Sequence, residues 1–192
     1  SGGGRLVEPF ERDFRAALDG AGIGHRVLTE LVEIADPAWS VALKAVLAPY
    51  RHLVVLDAPK DARAAWQLGE QMHYRHFVVA ERAPVEKATK GSLLEVVRFS
   101  ADPPAWLPRQ LDRIQRVADI DAGHRLPKGQ DWITAQGYLR EHRGGRHIGG
   151  GQAHFGAGAR QARIASLRDE QAAIQQRVQA RESELSGLGK RV

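Results

Sequence analysis

The stretch QDWITAQGYLREHRGGRHIGGGQAHFGA, residues 130–157, decides how this chain is to be read. It opens on a β-hairpin pattern, Trp132-Ile133-Thr134 and then Gly137-Tyr138-Leu139, with a turn between two short apolar runs. A glycine- and histidine-rich loop follows, Arg143-Gly144-Gly145-Arg146-His147-Ile148-Gly149-Gly150-Gly151, and the chain then passes without a break into a long charged helix. Small globular domains rarely end by feeding a glycine loop straight into such a helix. The junction therefore points to a connector rather than to a free-standing enzyme.

The helix has a period that can be counted. With Ile164 at an a position, the a and d sites are Ile164, Leu167, Gln171, Ile174, Val178, Arg181, Leu185 and Leu188, and six of these eight are apolar. Heptad spacing sustained this far, with Arg, Gln, Glu and Asp between, makes a seam narrower than the stripe of a core-packing helix. Gln171 and Arg181 weaken such a seam but help to fix its register. The partner strand would precede Pro9. On that reading residues 157–192 are a coiled-coil arm, residues 5–156 are a folded insertion with lobes over 5–80 and 92–156, and residues 1–4 are a tag or linker.

The insertion reads as mixed α+β. A helix begins at Pro9 with Phe10, Phe14, Ala17 and Leu18 at helical spacing and is stopped by Gly20, Gly22 and Gly24. A strand is expected over 28–34, and Asp36-Pro37 caps a helix whose face carries Trp39, Ala42, Leu43, Val46 and Leu47. A strand over 52–56, a helix over 59–72 marked by Ala62, Ala65 and Trp66, and a strand over 77–80 complete the first half. Residues 81–92 read as a polar join, followed by an apolar run over 93–97, a turn at Asp102-Pro103-Pro104, a short helix over 106–113 and a strand over 114–120. Short strands ending in a hairpin favour two lobes with mixed sheets over a doubly wound parallel sheet.

Composition narrows the function classes. The 192 residues are 43% hydrophobic and 27% charged, the balance of a folded chain. The longest wholly apolar runs, Leu53 to Leu56 among them, fall far short of the roughly 20 residues that cross a bilayer, and no secretion signal is visible. Without cysteine there are no disulfides and no thiolate-bound metals, which fits a cytoplasmic location. A net charge of +5 favours polyanionic partners, since cations at phosphates release counterions.

Enzyme signatures are weak. Gly20-Ala21-Gly22-Ile23-Gly24 ends a helix, whereas a dinucleotide loop opens one, and no G-x-x-x-x-G-K-[ST] loop is present. Ser40, Ser92 and Ser100 lack the G-x-S-x-G setting of a nucleophile elbow. His142, His147 and His154 raise the rival reading of a zinc loop or hydrolase. Their spacings of five and seven match no helix-face ligand pair, and only Glu141 offers a nearby carboxylate, so no metal or other cofactor is expected.

At this point a family resemblance carries the reading further. Leu28-Thr29-Glu30-Leu31-Val32-Glu33-Ile34, then Trp39, Ala42, Leu43 and Leu47, then Leu53-Val54-Val55 resembles the opening of the hinge domain of structural-maintenance-of-chromosomes (SMC) proteins. Ile133-Thr134-Ala135-Gln136-Gly137-Tyr138-Leu139, followed by Gly144-Gly145 and Gly149-Gly150, is similar to that family's closing pattern, which also stands immediately before the returning coiled coil. The shared order of features covers residues 10–185. Within the superfamily, Trp106-Leu107, the loop over 142–147, His154-Phe155-Gly156 and Ala159-Arg160-Gln161-Ala162-Arg163 look most like the MukB-like branch, particularly the Wadjet-type plasmid-defence condensins.

The resemblance implies a homodimerisation module at the apex of long coiled coils, with no reaction of its own. The ATPase heads, other subunits of the complex and a nucleoid-associated location belong to the full-length protein. Gly144, Gly145, Gly149, Gly150 and Gly151 become candidate dimer-edge residues, because glycines let two backbones approach and pair; a flexible exit into the helix is the alternative. Lys87, Lys90, Lys128, Arg140, Arg143 and Arg146 are candidate contacts for weak, sequence-independent DNA binding if they converge, against the alternative of a solvated charged surface. A DNA- or protein-binding α+β module without a hinge role is the runner-up.

Overall fold

The computed structural model describes residues 7–150, 155 and 157–189. Helix α1 (Pro9–Gly20) starts on a proline suited to the first turn and buries Phe14 and Leu18 completely. The chain continues through β1 (His25–Val27), α2 (Leu28–Leu31) and β2 (Val32–Ile34). The single strand expected over 28–34 is thereby corrected. Leu28, Leu31 and Val32 fall at i, i+3 and i+4, all three are buried, and that helical spacing prevails over the alternation. Asp36 Oδ1 accepts the Ala38 amide at 3.0 Å and starts a 3₁₀ turn, Pro37–Trp39, that runs into α3 (Ser40–Leu47).

Then come β3 (Val54–Leu56), α4 (Ala62–Gln71) behind a 3₁₀ turn, and β4 (Val78–Val79). An irregular connection leads to a 3₁₀ turn at Leu93–Val96, to β5 (Val97–Phe99), and to α5 (Leu107–Asp112). Strand β6 (Ile114–Val117) is shorter than the expected 114–120 because Asp119 caps a further helix, α6 (Ile120–His124), by accepting the Ala122 amide at 2.7 Å. The hairpin is present as β7 (Asp131–Thr134) and β8 (Tyr138–Glu141). The glycine loop is corrected in part: Gly144–His147 forms a strand, β9, and the long helix α7 spans Ala157–Gly189.

The described residues form three sheets. β1 and β4 flank β3, antiparallel and parallel respectively; β2 pairs antiparallel with β5; and β6-β7-β8-β9 forms a four-stranded sheet whose first pair is parallel. Strand β3 is buried on both faces. Val54 and Leu56 belong to a cluster with Phe14, Leu18, Ile23, Val27 and Ala65, whereas Leu53 and Val55 face a larger one built on Leu43, Leu47, Leu93, Leu107, Leu111 and Ile133. Its unbroken apolar run is what a strand between two packed layers requires. The fold is mixed α+β with a long C-terminal helix. No helix among the described residues is long and apolar enough to cross a membrane.

Candidate functional site

Strand β9 closes one side of the four-stranded sheet. The register Tyr138↔His147, Leu139↔Arg146, Arg140↔Gly145 and Glu141↔Gly144 joins it to β8, and every residue of β9 is exposed. The Ile148 amide donates to Gly137 O at 2.8 Å, toward β8. Alternation along the strand then turns the amides of Arg146 and Gly144 inward and those of Gly145 and His147 to the open side. Among the described residues nothing pairs with that side. The opposite side of the sheet is covered, since Ser92 bridges to Gln115 and the Arg116 amide donates to Gly91 O at 2.9 Å. An unpaired edge of this kind is a ready template for a further strand.

The candidate glycines divide by physical role. Gly144, at φ +120°, closes the β8–β9 turn in a conformation that side chains resist. A Cβ on Gly145 would lie 2.7 Å from the Tyr138 ring, which covers the glycine from the neighbouring strand. Gly149 has an internal reason to be glycine, because a Cβ there would collide with Gln136 O where the chain recrosses the hairpin turn. Gly150 faces open space, and Gly151 lies outside the described residues.

The six candidate cations do not form one patch. Strand β7 begins where β8 ends, with Trp132 opposite Arg140, so Lys128, Arg140 and Arg143 share one end of the sheet and Arg146 lies farther along β9. Arg140 donates to Gln130 O at 3.3 Å, and Arg143 pairs with Glu141 at 2.5 Å, which leaves Lys128 and Arg146 the more available. Lys87 and Lys90 lie beyond β6, where Gln115 Nε2 donates to Lys90 O at 3.3 Å. Three strand spacings, roughly 14 Å, separate β6 from β9. The segment carrying Lys87 and Lys90 is tied down by Asp112, which accepts from Thr89 N, Thr89 Oγ1 and Ser92 Oγ at 2.7–2.8 Å. Burial alone would raise the Asp112 pKa, but those three bonds outweigh it and hold the carboxyl below its usual range.

A second exposed surface escaped the sequence reading. Trp66, on α4, is 54% exposed, with its indole N–H donating to Val78 O at 3.0 Å. Phe77, just before β4, is 65% exposed and meets the Trp106 ring at 6.4 Å. Trp66 and Phe77 line one shallow surface beside β4, together with Tyr74 and His76. His142 and His147 stand exposed on the β8–β9 turn and on β9, while His154 lies outside the described residues. Among the described residues no group of three His, Cys, Asp or Glu is placed to hold a metal ion.

On α7 the six apolar seam residues Ile164, Leu167, Ile174, Val178, Leu185 and Leu188 are 43–68% exposed, and Gln171 and Arg181 lie exposed between them. The base of α7 is held by charge. Glu30 on α2 pairs with Arg15 of α1 and lies 3.6 Å from Arg163; Arg160 reaches Glu30 O at 3.4 Å and Glu33 at 3.9 Å; Arg12 of α1 meets Glu170 at 3.1 Å. One carboxylate thus ties α1, α2 and α7 together. Glu30→Gln is expected to weaken this joint by roughly 1 kcal/mol, read as faster amide exchange in the first turns of α7 and diminished at high salt. Exchange unchanged from wild type would show that apolar packing alone seats the helix.

No family model matches the chain, and no curated protein sequence matches it. Among solved structures it is similar to the Pyrococcus furiosus Smc hinge domain with an extended coiled coil, at 21% identity over 94% of this chain and 72% of that one, with a TM-score of 0.55. It is also similar to the Geobacillus stearothermophilus SMC hinge domain, solved as an asymmetric dimer, at 20% identity over 90% and 81% of the two chains and a TM-score of 0.54. The S. pombe Smc5/6 hinge domain matches at 11% identity over 68% and 60%, with a TM-score of 0.51. At these identities the likeness speaks for architecture: the chain has the fold of SMC hinge domains.

Proposed function

We propose that the chain is the hinge of an SMC-like ATPase, joining two copies of its subunit at the apex of their coiled-coil arms and catalysing no reaction itself. The observation that carries this reading is the open edge of β9, whose outward amides lie beside Gly144 and Gly145 in a fold shared with a hinge solved as a dimer. The exposed aromatic surface at Trp66 and Phe77 gives the second copy apolar area to bury. The exposed heptad seam of α7 supports an arm that pairs with a helix preceding Pro9. The ATPase heads and further subunits belong to other parts of the full protein. The similarity of residues 142–147 and 154–163 to the MukB-like branch favours a plasmid-defence condensin of the Wadjet type, working on the nucleoid.

Light-scattering mass at tens of micromolar tests the core of this reading. A dimer is expected, and it is expected to persist when Ile174 and Val178 are both changed to Ser, since the edge and not the seam would hold it. A strict monomer sinks the hinge, and a dimer lost with the seam residues moves the interface to α7.

Weak, sequence-independent DNA contact is the secondary function, favoured by Lys128, Arg140 and Arg143 at one end of the sheet, with Arg146 farther along β9. Binding is expected to fall with salt, and Arg146→Ala or Lys128→Ala is expected to lower the slope of log K against log salt by about 1 each. Lys87→Ala is expected to leave that slope alone. Affinity indifferent to salt would remove the DNA role and leave a dimerisation module.

A further inference from the structure

The first turn of α1 has no side-chain cap, yet two of its residues are held firmly from outside. Glu11 Oε1 accepts from His52 Nδ1 at 3.1 Å, and each residue is only 8% exposed, which makes this an ionisable pair inside the protein. Phe10 sets its ring edge-on to His52 at 4.8 Å and stacks on His76 at 5.4 Å, 21° from parallel. The His52 and His76 rings are themselves 4.8 Å apart. Tyr74 closes the cluster, donating its hydroxyl to His52 O at 2.5 Å and stacking on Phe14 at 4.1 Å. The dimer edge and the basic end of the sheet use none of these groups.

We propose that Glu11, His52 and His76 form a proton-operated latch, which fixes the start of α1 to the segment leading into β3 at neutral pH and releases it on acidification. The charges around His76 set the direction. From the segment before β3 it faces Arg51 and His52; from α1, Glu11, with Asp13 across a shared cleft and Arg15 beside Tyr74; from its own loop, His73, Tyr74 and Arg75. Glu11 is already engaged by His52, and Asp13 by Arg12 at 3.4 Å. A proton on His76 therefore places a cation beside His52 and Arg51 in a partly buried site, where no described carboxylate is left unengaged to receive it. Burial first, then His52 and Arg51, hold the His76 imidazole below its ordinary value, with Glu11 acting the other way.

The sign follows from linkage. A base whose pKa is depressed while the latch is closed takes up its proton more readily once the latch opens. The hold is complete above the ordinary imidazole value of about 6.5 and is lost as pH falls through the depressed one. Aromatic contact with Phe10 is lost along with it. Only the meaning of the latch, a grip on the base of an incoming arm, rests on the hinge reading.

Amide exchange of residues 10–15, corrected for its intrinsic pH dependence, tests the latch on the whole chain at about pH 7.5 and about pH 5.5. Protection is expected to fall in the wild type by up to about tenfold for each pH unit below the ordinary imidazole value. It is expected to stay nearly constant in His76→Phe, which keeps a ring against Phe10 and cannot take a proton. Equal loss in both proteins, or no loss in the wild type, overturns the proposal. Should His76→Phe fail to fold, the wild type alone decides by proton NMR: the Phe10 ring signals must move with the same midpoint as the His76 imidazole, and their indifference overturns the latch. Mass measured at both pH values reads the hinge separately, so a monomer would remove the hinge while leaving the latch result intact.

Discussion

His147→Pro is expected to abolish the proposed dimer and leave monomers while the fold survives. The His147 amide faces the open side of β9, so proline removes a donor that β8 never used and sets its ring where a second strand would lie. Both copies in a dimer carry the substitution, which doubles the loss. Missing edge hydrogen bonds at about 1 kcal/mol each, together with the steric block, come to roughly 4 kcal/mol, close to a thousandfold in Kd. Sedimentation across a concentration series measures it, with far-UV circular dichroism and a melting curve confirming that the chain still folds. His142→Ala, in the turn and off the edge, is expected to stay within about twofold of wild type, as exposed substitutions generally do. A folded His147→Pro that dimerises as tightly as the wild type would move the interface away from β9, and the exposed aromatics at Trp66 and Phe77 would be the next surface to test.

That edge also marks where local sequence stops being informative. The hairpin, the Asp36 cap, the helix carrying Ala42 and Leu43, and the long helix α7 were legible because each is written in residues a few positions apart. Strand β9 was not, since two glycines and a histidine carry little strand preference and the pairing is imposed by β8 and by the Tyr138 ring over Gly145. α2 was missed because four residues at the start of an alternating run satisfy both periods, and only the burial of Leu28 and Leu31 decides between them. Asp119 was a readable cap for α6, and its neglect stretched the preceding strand. The basic surface was legible as a list of cations but not as a shape. Lys90 and Arg146 lie on opposite sides of a sheet whose strand order no local pattern records. The exposure of Trp66 was not legible either, because it depends on the Val78 carbonyl that accepts its indole N–H, and that pairing is set by the packing of α4 against β4.

The second large effect concerns whether the two apolar clusters melt together. Leu56 is fully buried on the face of β3 that meets Phe14, Leu18 and Ala65, while its neighbour Val55 points into the larger cluster with Leu43, Leu47 and Leu53. Leu56→Ala removes three carbons from the smaller cluster and leaves a cavity that a strand hydrogen-bonded on both sides, to β1 and to β4, has little freedom to close. The expected loss is about 3 kcal/mol of unfolding free energy. Because β3 is the common wall, the smaller cluster cannot open without removing packing from the larger one. Urea unfolding should therefore stay a single transition displaced to lower denaturant, with circular dichroism and tryptophan fluorescence coincident. The tryptophans make the comparison sharp, since Trp66 reports from α4 beside the smaller cluster, while Trp39 and Trp106 pack against the larger and Trp132 is buried in β7. Two separated transitions would mean that the layers on either side of β3 are independent folding units. α1 could then detach as a unit with the smaller cluster, and acid release of its first turn would spread into the body instead of stopping at the latch.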